Sequence, residues 1–100
     1  MKRVQITAVR QSCYEDLMAR YERPMENACC VQVGQKWISE NGMQPPGFCD
    51  SAWQTIEPFV RTLAEGGGSF YGAWMNNPHS AMLSCNDGFR PVSFYLETLE

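Results

Sequence analysis

Asp87-Gly88 stands between two β-prone runs, residues 81–85 and 92–99, and no other feature restricts the fold so tightly. Such a dipeptide between such runs signals a β-hairpin, because a tight turn asks for positive φ there and glycine supplies it. The chain therefore closes on two antiparallel strands, the last with Val92, Phe94 and Leu96 on its inward face. Pro91 at the start of that strand breaks no interior ladder bond. One hundred residues leave room for one hydrophobic core, so the hairpin belongs to a single domain, 1–100.

Upstream, Val4, Ile6 and Ala8 alternate with Gln5 and Thr7, the two-residue period of a half-buried strand. Ser12 and Glu15 then fit a capping box, which predicts a short helix with Tyr14, Leu17, Met18 and Tyr21 as an apolar stripe lying on the sheet. Pro24 prevents that helix from running far. Residues 29–33 are β-prone and Lys36-Trp37-Ile38 continues the run beyond Gly34, which marks a bulge or turn. Asn41-Gly42 and Pro45-Pro46-Gly47 punctuate a surface loop.

A second helix follows, capped by Asp50 or Ser51, with Trp53, Ile56, Val60 and Leu63 as its apolar side. Pro58 inside it predicts either a kink or a split into two pieces. Gly66-Gly67-Gly68 ends it. The order β-α-β-α-β-β reads as α+β: about four strands, antiparallel or mixed, with a C-terminal hairpin and one or two covering helices.

Composition narrows the function. With 44% hydrophobic and 19% charged residues the chain can offset the entropy of ordering, so it folds. Eight Lys and Arg against eleven Asp and Glu leave a net charge of −3, which disfavours a nucleic-acid binder. No apolar h-region follows Met1-Lys2-Arg3, and no run approaches the roughly 20 apolar residues of a spanning helix. The expectation is a cytoplasmic protein with no membrane partner.

Recognised catalytic motifs are missing, with no phosphate-cradling glycine loop, HExxH or CxxC, so the reading leans away from an enzyme. Five cysteines are an odd number at irregular spacings, which favours reduced thiols. Cys30, Cys49 and Cys85 fall at element ends, and ends can meet at one edge of a small domain. Cys49 precedes a helix, whose amides favour a thiolate. With His79, the only histidine, these residues are the candidate thiol or metal set, zinc or iron being the metals implied. The loop residues Phe70, Tyr71 and Trp74 sit among glycines and asparagines without period and form, with Arg90, a candidate binding surface. Trp37 and Trp53 are read as core, Asp87 as a turn residue and Arg90 as its partner across the turn. The leading reading is a small module binding a protein or small ligand; the alternative is a thiol-based redox or metal-binding protein.

Two stretches carry a resemblance: Pro46-Gly47-Phe48-Cys49 followed by Ala52-Trp53, and Cys85-Asn86-Asp87-Gly88-Phe89-Arg90-Pro91-Val92-Ser93-Phe94. With Arg3, Val4 and Ile6 in the first strand and the step from Gly34 to Trp37, they resemble a family of small prokaryotic proteins of unknown function. The resemblance spans nearly the whole chain. It implies a single domain and singles out Cys49, Cys85, Asp87, Gly88, Arg90 and Pro91, but brings no activity with it.

Overall fold

The computed structural model describes residues 1–23, 31–72 and 74–99. Alternation in β1 (Val4–Gln11) places Val4, Ile6 and Ala8 on one face, all fully buried. Directly opposed residues of an antiparallel pair share a face, so the register carries that face across the sheet. In β2 (Lys36–Ser39) Trp37 lies opposite Ile6; in β4 (Val92–Thr98) Leu96 and Phe94 lie opposite Ile6 and Ala8. Ala81 and Leu83 of β3 (Ser80–Ser84) continue the rows. The result is one antiparallel sheet in the order β2-β1-β4-β3, and an α+β fold.

Helix α2 (Asp50–Ala64) covers this inner face with Ala52, Ile56, Val60, Leu63 and Ala64, a stripe at helical spacing. Just before it, the Phe48 ring packs 4.8 Å from Trp37, 5.4 Å from Phe94 and 6.1 Å from Trp53, centroid to centroid. At the far end the Lys2 amide donates to the Ala64 carbonyl at 2.8 Å. The opposite face, with Thr7, Ile38 and Met82, carries no described element, as antiparallel sheets allow.

Several expectations need correction. The first helix, α1 (Glu15–Tyr21), has Tyr14 at its N-cap and no side-chain cap. Ser12 lies two residues ahead of that cap, in a stretch bonded to the 85–91 connection, its amide donating to the Pro91 carbonyl as that of Tyr14 donates to Phe89. Nor does the α1 stripe lie on the sheet: the helix buries no residue, and Tyr14, Leu17 and Tyr21 are exposed. The regular part of β2 begins only at Lys36, after a turn in which Gly34 takes φ +99° and donates to Ala8. The run from Cys29 lies partly outside the described residues. Cys49, with extended backbone at φ −64° and ψ 125°, and not Asp50 or Ser51, is the N-cap of α2 and gives it no side-chain cap; the Asp50 carboxylate accepts from Gln44 Nε2 at 2.8 Å. Pro58 does not split α2: its ring sits on the exposed side, while Ile56 and Val60 hold the helix to the sheet on either side of it.

The glycine stop is as expected. Gly66 takes φ +91°, and its amide and that of Gly67 bond back to Leu63 and Thr62. The β3–β4 hairpin is also present, without the tight turn. Residues 85–91 connect the strands, Gly88 does not take positive φ, and the Asp87 carboxylate accepts the Phe89 and Arg90 amides at 2.8 and 3.2 Å.

Phe94→Ala, which empties the centre of the aromatic cluster, is expected to cost about 3–5 kcal/mol in urea unfolding. Tyr21→Ala, on exposed α1, is expected to stay within about 0.5 kcal/mol. Equal effects would contradict this placement of the core.

Candidate aromatic binding loop

Residues 69–79 leave the glycine stop of α2 and return to β3. The loop is closed at its base. The Ser69 amide donates to the Pro78 carbonyl at 2.7 Å, and a Cβ on Gly68 would collide with that same carbonyl, so the two backbones meet there only because residue 68 is glycine. His79 Nδ1 lies 3.2 Å from the Gly67 carbonyl oxygen, and the buried Ser80 hydroxyl donates to Asn77 at 2.7 Å. Above this base Phe70 turns inward, its ring 5.0 Å from Phe59 of α2.

The neighbouring aromatics turn outward. Tyr71 is 76% exposed and Trp74 44%, and their rings meet edge to face at 5.2 Å. Ser69 and Tyr71 both take positive φ, +53° and +51°. For side chains other than glycine this conformation costs about 1–3 kcal/mol each, so the closed base and the Phe59–Phe70 contact must hold it. The product is an apolar pair displayed on solvent by a loop tied at both ends.

Arg90 lies elsewhere. The loop precedes β3 and Arg90 follows it, so they occupy opposite ends of that strand. Its expected partner Asp87 is already engaged by backbone amides, and the guanidinium instead forks onto Glu22 at the end of α1, at 2.8 and 2.9 Å. That hydrogen bond raises the Arg90 pKa beyond its ordinary value. Sequence reading missed Glu22, which stands 68 residues away in a polar stretch without a motif.

The thiol candidates occupy different settings. Cys49 and Cys85 are both free, half-buried and packed against the core, the Cys85 sulfur accepting the Val92 amide at 3.3 Å. Cys13 is free and exposed. Cys30 lies outside the described residues. His79 is remote from the other two: it sits at the C-terminal end of α2, about 22 Å of helix from Cys49, and about 20 Å of strand from Cys85. Among the described residues no three His, Cys, Asp or Glu side chains form a group able to hold a metal.

A shallow hollow of about 310 Å³ on the open sheet face is lined by Val9, Arg10, Met82 and Ser93, and another of about 250 Å³ adjoins Ile38 and Pro46. Neither has a loop aromatic or a cysteine among its described lining residues. No family model, curated protein or solved structure matches the chain.

If the Arg90–Glu22 fork fixes α1, Arg90→Lys, which keeps the charge and loses the fork, and Glu22→Gln should both speed amide exchange in α1 and leave β1 and β4 protected. Unchanged exchange in α1 would remove that role.

Proposed function

We propose that the protein is a small cytoplasmic binding module that engages a protein partner or small ligand through Tyr71 and Trp74. Support comes above all from the exposure of this ring pair on a loop whose backbone is closed at both ends. Tyr and Trp bring large apolar area with few rotatable bonds, so little entropy is lost when they are covered, and such residues dominate binding energy at interfaces. The acidic balance speaks against nucleic acid as the partner. No helix among the described residues is long and apolar enough to cross a membrane.

A second reading, a thiol-based redox or metal-binding protein using Cys30, Cys49 and Cys85, is favoured by one observation: the free thiols of Cys49 and Cys85 border the same core. The resemblance to the small prokaryotic family, which includes both positions, adds to it. Near-stoichiometric zinc or iron in protein purified without oxygen, lost on Cys49→Ser or Cys85→Ser, would establish this reading. Metal-free protein whose partly buried thiols react only on unfolding would remove it.

The binding reading is tested by cross-linking capture in cells with wild type, Trp74→Ala, Tyr71→Ala and, as control, Met43→Ala on another exposed loop. Loss of either ring should weaken capture of a specific partner by about tenfold or more, equivalent to about 1.4 kcal/mol. Capture equal in all four proteins would contradict it.

A further inference from the structure

We infer that two copies of the chain pair through β3, antiparallel about a two-fold axis at Leu83. β3 is an edge strand, with β4 on one side and no described strand on the other. Two bonds fix the phase of its ladder: Thr98 donates to the His79 carbonyl at 3.1 Å and Cys85 donates to the Val92 carbonyl at 3.0 Å. Odd-numbered residues of this segment therefore turn their backbone groups to β4, and Ser80, Met82 and Ser84 turn theirs to the open edge. Ser80 is buried under the loop, but Met82 and Ser84 are exposed, leaving N–H and C=O groups facing solvent.

Proteins that stay monomeric guard such edges with charge, proline or a bulge. The other edge is guarded by charge: β2 carries Lys36, with Glu40 just beyond. β3 has no such device. Ser80-Ala81-Met82-Leu83-Ser84 contains no charge and no proline, and its register with β4 is unbroken.

Symmetry singles out a second copy as the occupant. A two-fold contact brings like residues close together, so charged edges repel themselves, and this one has nothing to repel. With the axis at Leu83, Met82 of each copy faces Ser84 of the other. Each of these residues then donates one backbone bond and accepts one, and the shielded Ser80 is not needed. On the inner face Leu83 meets Leu83 of the second copy. This side chain is now half-buried at the rim of the core, so the pairing completes a packing that the single chain leaves open. Both α2 helices fall on the same face of the joined sheet, and the guarded β2 edges end the assembly at two chains.

Sedimentation equilibrium over a concentration series, with amide exchange on the same samples, tests this. The expected result is twice the monomer mass at the upper end, with Met82 and Ser84 amides protected there and fast on dilution. Ser84→Pro removes only an outward N–H, which β4 does not use. It and Met82→Lys should each weaken dimerisation by about tenfold or more while leaving the circular dichroism unchanged. If the proline variant does not fold, the lysine variant decides. A monomer at every concentration, a dimer indifferent to both substitutions, or an open-ended polymer would overturn the inference.

Discussion

The ring of Phe48 is the contact on which the architecture turns. It sits between Trp37 of β2 and Phe94 of β4 and touches Trp53 in the first turns of α2, so one side chain ties an edge strand, a central strand and the helix together. Trp37 and Phe94 also meet directly at 6.2 Å. Edge-to-face contacts of this kind add about 0.5–1.5 kcal/mol per pair to the burial of the rings. Among the described residues one helix, α2, covers one face of the sheet, and no second layer shares that work.

What the core carries at its far end follows from the line of α2. The helix stripe buries Ile56, Val60 and Leu63, and the adjoining Phe59 remains half-exposed. Phe70 covers it, and that contact anchors the loop that carries the two outward rings. The strained φ of Tyr71 depends on the anchor, and the display of Tyr71 and Trp74 depends on the strain. Of the described cysteines, Cys49 and Cys85 pack against the core, Cys13 is exposed, and no group of three metal-ligating side chains forms among the described residues.

The parts of the fold that were legible in sequence are those governed by local periodicity. Val4-Ile6-Ala8, Val92-Phe94-Leu96 and the α2 stripe each point one way at their own spacing, and burial follows that spacing. The failures are long-range. The α1 stripe has helical spacing too, but the Arg90–Glu22 fork ties that helix to the 85–91 connection instead of the sheet, and no neighbour in sequence signals it. Asp87-Gly88 announced the hairpin correctly for a reason that does not apply, since the Asp87 carboxylate, not the glycine, organises the turn. In the loop, the aromatic cluster was visible; that Phe70 turns in and Tyr71 out was not, because backbone signs at Ser69 and Tyr71 decide it.

The central claim is that a rigid core holds an ordered loop which displays two aromatic rings. Backbone nitrogen-15 relaxation across residues 69–79, compared with α2, tests it directly. Order parameters near about 0.85 at Tyr71 and Trp74, equal to those of the helix, are the expected result. Values below about 0.6 would describe a flexible tether and contradict the account.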